Sequence, residues 1–217
     1  MKTTVFIDFD RTAFDTKRFI EVQNQVIKDH LGFDRDELRM PEDVLKGNIH
    51  DKPPYNLFEH LRALQVEEQK LEELKLAVIH HAGGDSFIHP DVLELVDGLE
   101  ARNVTIRILT YGVDEYQFFK REFAPELKHL DFYVTSGRKS VFLNQYYAEF
   151  SPDLLSRFVL VDDNPDSFTG QFNAGYDFLG LRINRGGDAY DAFPTPDGII
   201  QIKHLPDVLE LIPKNEL

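Results

Sequence analysis

Two aspartates directly after an apolar run near the amino terminus are the first residues that could perform chemistry. The run from Val5 to Ile7 is typical of a buried parallel strand, and Asp8 and Asp10 follow it. Open α/β sheets bind their ligands at the carboxyl ends of strands, which is where both carboxylates would lie. Carboxylates so close together need a cation, a shared proton or solvent to offset their repulsion. Taken alone, the run is equally compatible with a turn or a helix cap.

Two later apolar runs also end in groups that bind phosphate or metal. Thr110 follows the run from Ile106 to Leu109, and Asp162 and Asp163 follow the run from Phe158 to Val161. In a parallel sheet these ends lie along one edge, so the aspartates would repel one another strongly unless neutralised. A hard cation with oxygen ligands solves this, and Mg²⁺ is the usual choice where phosphate is also bound. The alternative is that the acids are separate helix caps in contact with water.

Lys139 could supply positive charge at the same edge. It closes a turn that begins at Ser136 and precedes a predicted helix, from which its ammonium could offset the carboxylates or bind a phosphate. Arg138 is the less favoured candidate, and a solvated loop lysine is the alternative. At the second strand end, Thr110 offers a hydroxyl and Gly112 offers a backbone that a ligand can approach closely.

The overall composition restricts the class of protein. The 217 residues are 42% hydrophobic, enough to bury a core, and include no cysteine, which excludes disulfides and thiolate metal sites. The formal net charge of −14 argues against nucleic acid as a partner. No apolar stretch approaches the roughly 20 residues of a membrane-spanning helix, and no apolar signal region precedes the first strand. We therefore expect a cytoplasmic protein with no nucleic-acid or membrane partner.

The chain between the first strand and about residue 85 has helical periodicity. Apolar residues over 17–31 recur at helical spacing, and Gly32 follows as a stop. Two further apolar stripes cover 57–64 and 71–78, and Gly83 and Gly84 then mark either a hinge or a helix end.

From residue 89 onward, helices and strands alternate, which is typical of a parallel sheet with crossover connections. The predicted elements are helices over 90–101, 113–123, 140–148 and 166–174, strands over 104–109, 132–134, 158–161 and 178–183, and a last strand and helix between 199 and 211. The pattern predicts an α/β fold, a Rossmann-like doubly wound parallel sheet with a small helical bundle inserted after the first strand. The core would comprise residues 1–14 and 86–217, and the inserted bundle residues 15–85.

The residues at the strand ends resemble, in order and spacing, the four signature motifs of the haloacid dehalogenase superfamily. The segments that carry the resemblance are Asp8 to Thr12, Thr110, Lys139, and Leu160 to Asp163. It covers most of the chain, and residues 15–85 match the position of a helical cap of the C1 type. The resemblance implies phosphatase or phosphotransferase chemistry, because Asp10 stands where dehalogenases proper lack a second acid.

The resemblance also implies a role for each motif residue. Asp8 would be the nucleophile that forms an aspartyl-phosphate, and Asp10 would protonate the leaving oxygen and then activate water. Lys139 would neutralise charge as it builds. The implied metal ligands are Asp8, Asp10 through its main-chain carbonyl, Asp163, and Asp162, which could instead orient Lys139. The implied substrate-binding residues are Phe9, Thr12, Thr110, Tyr111 and Gly112.

The sequence leaves the roles of several residues undecided. Arg11 stands where many relatives have glycine, and it could reach an anionic substrate group or point to solvent. Asp166 could hold a metal-bound water or cap a helix. Residues of the cap could contact the substrate, and the candidates are Arg18, Lys46, Asn48, His50, Lys52 and Tyr55.

The sequence therefore predicts a Mg²⁺-dependent phosphomonoester hydrolase acting on a small phosphorylated metabolite. Two alternatives stay open: a phosphotransferase or phosphomutase on the same scaffold, and a binding or regulatory module without turnover.

Overall fold

The computed structural model describes residues 2–33, 54–150, 156–186 and 190–212. The strands are β1 (Lys2–Ile7), β2 (Thr105–Tyr111), β3 (Asp131–Thr135), β4 (Ser156–Asp162), β5 (Asp177–Ile183) and β6 (Ile200–Ile202). The helices in these residues are α1 (Thr16–Leu31), α2 (Leu57–Ala63), α3 (Glu68–Ala82), α4 (Asp91–Glu100), α5 (Asp114–Arg121), α6 (Lys139–Phe150) and α7 (Val208–Leu211). Within these ranges, no helix is both long and apolar enough to cross a bilayer.

The six strands form one parallel sheet in the order β3-β2-β1-β4-β5-β6. The chain winds outward from β1 in one direction through β2 and β3 and in the other through β4, β5 and β6. Such a sheet has its topological switch point beside β1, where open α/β folds bind their ligands. The predicted α/β fold with a doubly wound parallel sheet is therefore confirmed.

Both faces of the sheet are buried, as the apolar runs predicted. In β1, the alternating side chains of Val5 and Ile7 join the larger apolar cluster, whereas Phe6 joins a second cluster on the opposite face. Helices α4 and α5 contribute apolar side chains to the first cluster, and α6 contributes Leu143 and Tyr146 to the second. This packing fixes the register of β1 and hence the position of the residues that follow it.

One predicted helix is wrong. The segment predicted as a helix over 166–174 forms only a short 3-10 helix at Pro165–Phe168, followed by irregular chain. Gly170 adopts a positive φ of 110°, which ends helical geometry, and the Asn144 side chain binds the backbone of the following residues instead. The other predicted elements are confirmed, with ends displaced by a few residues.

The helices α1, α2 and α3, here called the inserted helices, are joined to the sheet by two segments that run side by side. Phe14 and Ile88 form an isolated antiparallel bridge, and Asp15 N–H donates to the Phe87 carbonyl at 2.6 Å. Gly83 lies just before this junction, has a left-handed φ of 61° and ends α3. Of the two sequence-based interpretations of the Gly83 and Gly84 pair, a hinge or a helix end, the structure has the helix end. The division into a core of 1–14 and 86–217 and a cap of 15–85 stays a prediction.

The inserted helices contact helix α5, which follows strand β2. Phe58 of α2 makes edge-on ring contacts with Tyr116 and Phe119 of α5, with centroids 5.9 and 5.3 Å apart. Glu115 of α5 accepts hydrogen bonds from Arg62 at 2.9 Å and from Lys75 at 3.3 Å. Hydrogen bonds from Arg62 lower the pKa of Glu115 to about 2.

Replacing Glu115 by Gln should lower the free energy of unfolding by about 1 kcal/mol at pH 7, a modest value because the side chains are about one-third exposed. The pKa of Glu115 is lowered on folding, so the wild-type advantage is present above the unfolded pKa. It should shrink as the pH falls from 5 towards 2. Urea unfolding at several pH values measures this difference.

Glu122→Gln is the matched control, because Glu122 pairs with Lys128 at 2.6 Å and both side chains are about half exposed. It should change stability little at any pH. An equal loss in both variants would show that the Glu115 contacts do not stabilise the packing of the inserted helices.

Candidate active site

Lys139 is buried between two aspartates at the carboxyl ends of β1 and β4. The pairing of Ile7 with Val161 brings Asp8 and Asp162 side by side. Lys139 is the first residue of α6, is 1% exposed, and donates to Asp8 Oδ1 and, at 2.5 Å, to Asp162 Oδ2. Arg138 instead donates to Thr169 Oγ1 at 2.8 Å. Of the two basic candidates, Lys139 is therefore the one that reaches the carboxylates.

Asp162 has both of its carboxylate oxygens in hydrogen bonds. Oδ2 accepts from Lys139, and Oδ1 accepts from the Asn164 N–H at 2.8 Å. These contacts favour the interpretation in which Asp162 orients Lys139, which the sequence left open beside direct metal binding.

Burial and the neighbouring charges act in opposite directions on this cluster. Burial raises the pKa of Asp8 to about 7, against the lowering effect of the Lys139 ammonium. Burial also disfavours the charged form of Lys139, but the charges of Asp162 and Asp8 outweigh it and raise the pKa of the ammonium. The lysine therefore stays protonated at neutral pH, and the cluster carries excess negative charge whenever both aspartates are ionised.

Asp163 completes a set of carboxylates that suits a divalent cation. Asp8, Asp162 and Asp163 are all buried, and each places a carboxylate oxygen within 4.8 Å of the others. The backbone of Asp163 is fixed on both sides, since its N–H donates to Thr12 Oγ1 at 3.1 Å and its carbonyl accepts from Arg182 Nε at 3.2 Å. Hard carboxylate oxygens in a compact group are the donor set that Mg²⁺ binds, so the residues present fit the predicted ion.

The predicted phosphate-binding residues lie at the same edge but differ in the groups that they can present to a ligand. Thr110 is completely buried, and its hydroxyl has no hydrogen-bond partner among the described residues. A buried hydroxyl without a partner is unfavourable, which makes it a candidate donor to a ligand. The ring of Phe9 is buried against Phe14, with centroids 4.6 Å apart, so only the main chain of Phe9 could contact a substrate.

The Gly112 backbone is already engaged by its neighbours in the fold. Its N–H donates to the Thr135 carbonyl at 3.0 Å, which commits this amide to the sheet. A Cβ at this position would lie 2.3 Å from Gln117 Nε2, so the glycine makes room for the Gln117 side chain. The same Nε2 donates to the Tyr111 carbonyl at 3.1 Å.

The Asp10 carboxylate lies outside the group formed by Asp8, Asp162 and Asp163. It accepts hydrogen bonds from Thr16, Gln117 and Lys120. Burial opposes its ionisation, but the Lys120 ammonium and these hydrogen bonds lower the pKa of Asp10 below its usual value. Gln117 and Lys120 were not predicted as site residues, because on sequence alone they are ordinary polar positions of an amphipathic helix.

Arg11 lies beside the aromatic ring of Tyr190. Its backbone has a positive φ of 63°, and its guanidinium carbon is 5.6 Å from the ring centroid of Tyr190. Burial raises the pKa of Tyr190, as do the charges of Asp163 and Asp162. Tyr190 therefore lies near the aspartates of the candidate site, a position that the sequence did not indicate.

The candidate substrate contacts of the inserted helices are only partly described. Lys46, Asn48, His50 and Lys52 lie outside the described residues. Arg18 is bonded to Asp85 at 2.6 Å, near the junction with the sheet, and Tyr55 is 3.2 Å from His60 Nδ1. Asp166 lies in the short helix capped by Asn164, whose Oδ1 accepts from the Asp166 N–H at 3.0 Å.

Solved structures share this fold over the whole chain. A haloacid dehalogenase-like hydrolase from Burkholderia xenovorans LB400 aligns with 98% of this chain and 99% of its own, at a TM-score of 0.72 and 16% identity. A HAD phosphatase from Thermococcus onnurineus aligns over 100% of both chains, at a TM-score of 0.59 and 22% identity. The chain has the haloacid dehalogenase fold.

A third solved structure has the same fold and contains magnesium. The HAD hydrolase YfnB from Bacillus subtilis was solved bound to magnesium, and it aligns with 97% of this chain and 98% of its own, at a TM-score of 0.58 and 13% identity. No family model matches the sequence, and no curated protein matches it. At these identities the comparisons show the fold, and the activity has to be argued from the site.

Mg²⁺ should raise the melting temperature of the wild-type protein if the carboxylate group binds it. At a concentration ten times the dissociation constant, binding stabilises the folded state by about 1.4 kcal/mol. For a chain of this size that corresponds to a shift of about 3 to 6 °C. Asp163→Asn should abolish the shift, because it removes one charged ligand from the group.

Asp177→Asn is the control, since Asp177 lies at the opposite end of β5 and pairs with Arg157 at 2.6 Å on the surface. It should keep the full Mg²⁺ shift. The same shift in the Asp163→Asn protein would place the ion elsewhere.

Proposed function

We propose that this chain is a Mg²⁺-dependent phosphomonoester hydrolase that acts on a small phosphorylated metabolite through an aspartyl-phosphate. The observation that carries the proposal is the buried Asp8 carboxylate, bonded to Lys139 and within 4.8 Å of Asp163, at the switch point of the sheet. The Thr110 hydroxyl on the adjacent strand, which has no partner among the described residues, supports it. The haloacid dehalogenase fold, found in a protein described as a phosphatase, is consistent with this chemistry.

In the first half of the reaction, an Asp8 oxygen attacks the phosphorus of the substrate. The bond between phosphorus and the leaving oxygen breaks as the bond to Asp8 forms, and Asp10 donates a proton to the leaving oxygen. The Lys139 ammonium and the Thr110 hydroxyl stabilise the charge on the phosphoryl oxygens.

In the second half, water releases the phosphate. Asp10 accepts a proton from the water as its oxygen attacks phosphorus, the bond to Asp8 breaks, and Asp8 regains its carboxylate. Inorganic phosphate then leaves.

The residues that would hold Mg²⁺ are Asp8 and Asp163, with the Asp10 main-chain carbonyl as a further ligand implied by the resemblance, while Asp162 would orient Lys139. The bound ion would offset the negative charge of the carboxylates and of the phosphate. Cap residues would set the choice of metabolite, because they would cover the edge of the sheet where the leaving group lies.

Asp8→Asn should remove Mg²⁺-dependent hydrolysis of p-nitrophenyl phosphate, lowering kcat by roughly 10⁴-fold or more, because an amide does not act as the nucleophile. Release of nitrophenolate with and without Mg²⁺ measures this. Asp177→Asn should retain activity. Metal-dependent turnover that persists in the Asp8→Asn protein would refute the nucleophile assignment.

The same assay separates the alternatives. Phosphate transferred to an acceptor sugar faster than it is released to water would indicate a phosphotransferase. No turnover of a broad phosphoester panel, with Mg²⁺ shown to bind, would indicate a binding module.

Thr110→Val should separate activity from stability. It removes a buried hydroxyl for which the described part of the chain offers no partner, so the free energy of unfolding should stay the same or rise by up to about 1 kcal/mol. Loss of a donor to the phosphoryl group should lower kcat/KM by about 10²-fold. Thermal unfolding and steady-state kinetics on the same samples measure both.

Thr105→Val, at the start of the same strand, is the matched control and should leave kcat/KM unchanged. A Thr110→Val protein with wild-type kcat/KM would exclude the hydroxyl from substrate binding.

A further inference from the structure

The Asp10 carboxylate is held by three side chains that leave neither oxygen without a donor. Lys120 Nζ lies 2.6 Å from Oδ1 and 2.5 Å from Oδ2. Thr16 Oγ1 donates to Oδ1 at 2.8 Å, and Gln117 Nε2 donates to Oδ2 at 2.9 Å. This environment defines the conformation of the carboxylate far more narrowly than solvent would.

Lys120 is a charged residue whose side chain the fold buries. It is 3% exposed, although it belongs to the short amphipathic helix α5 of eight residues. Its one ion-pair partner among the described residues is Asp10, and its ammonium lies 4.9 Å from the ring centroid of Tyr116. A buried ammonium is retained at a substantial desolvation cost, so a residue that only filled space would be better served by an apolar side chain.

Gln117 contacts the same carboxylate from one turn earlier on the helix. The two side chains project on one face because residues three apart on a helix are neighbours. Gly112 permits this arrangement, since any larger side chain there would collide with Gln117. Two helices thus converge on Asp10, α1 through Thr16 and α5 through Gln117 and Lys120.

We propose that Lys120, assisted by Gln117, is the positioning residue that holds the Asp10 carboxylate for activation of water in the second half-reaction. The inference rests on the proposed function. In that step water forms a bond to phosphorus, the bond between phosphorus and Asp8 breaks, and Asp10 takes the proton of the water. This step needs a carboxylate held in one orientation, and the contacts of Lys120 and Gln117 with its two oxygens hold it there.

The test uses 2,4-dinitrophenyl phosphate, whose leaving group needs no proton donor. The first half-reaction should therefore proceed normally in Lys120→Met, while hydrolysis of the aspartyl-phosphate becomes slow. We expect a burst of dinitrophenolate equal to the enzyme concentration, followed by a steady-state kcat roughly 10- to 100-fold below wild type. KM should fall with kcat, so that kcat/KM stays within about twofold of wild type.

Two further variants separate positioning from a structural role. In an Asp10→Asn background, Lys120→Met should cause no further fall in kcat, because Lys120 acts only through Asp10. Gln117→Met should give the same burst with a smaller fall in kcat. Because it keeps the ion pair between Lys120 and Asp10, it tests the proposal even if the Lys120→Met protein folds poorly. Lys128→Met, which removes a surface lysine bonded to Glu122, should show neither effect.

A wild-type kcat in both the Lys120→Met and Gln117→Met proteins would overturn the proposal, as would a fall in kcat/KM with unchanged KM. So would a further loss of kcat in the Asp10→Asn background. A wild-type protein that releases no dinitrophenolate with Mg²⁺ would instead refute the proposed function, which keeps the two failures distinguishable.

Discussion

A single buried ammonium between two carboxylates is the interaction on which the site depends. Lys139 can pair with Asp8 and Asp162 only if β1 and β4 are neighbours in their observed register and α6 begins at the same edge. A slip of one residue would turn Asp162 to the other face of the sheet, where its carboxylate would lose the Lys139 ammonium. Removing one member of a buried ion pair is strongly destabilising, of the order of 3 to 5 kcal/mol. Fold and site therefore specify each other here.

Much of this arrangement could be predicted from sequence because it depends on strands. Apolar runs identified β1, β2 and β4, and in a parallel sheet the residues after such runs meet whatever their separation in the chain. Asp8, Thr110 and Asp163 could thus be assigned to one edge. The choice of Lys139 over Arg138 needed coordinates, because adjacent residues at a helix start point about 100° apart.

Other features depend on tertiary contacts that leave no periodic signal. Polar positions such as Gln117 and Lys120 look like the solvated face of a helix until the partner that buries them is known. The region after Pro165 was predicted as a helix, but Phe172 stacks on Phe178 with ring centroids 3.7 Å apart. That contact, with the left-handed Gly170, decides the local conformation against helical propensity.

Helix α5 links the inserted helices to the acid-base residue. Glu115 at its start binds Arg62 and Lys75 of the inserted helices, and Gln117 and Lys120 on another face bind Asp10. Eight residues span these two sets of contacts, and a helix of that length moves as one body. The position of the inserted helices and the position of the Asp10 carboxylate are therefore not independent. The chain carries a net charge of −14. Even so, Glu115, Asp10 and Asp8 each pair with a lysine or arginine from a different element. Local pairing, and not overall charge, determines where its carboxylates can be buried.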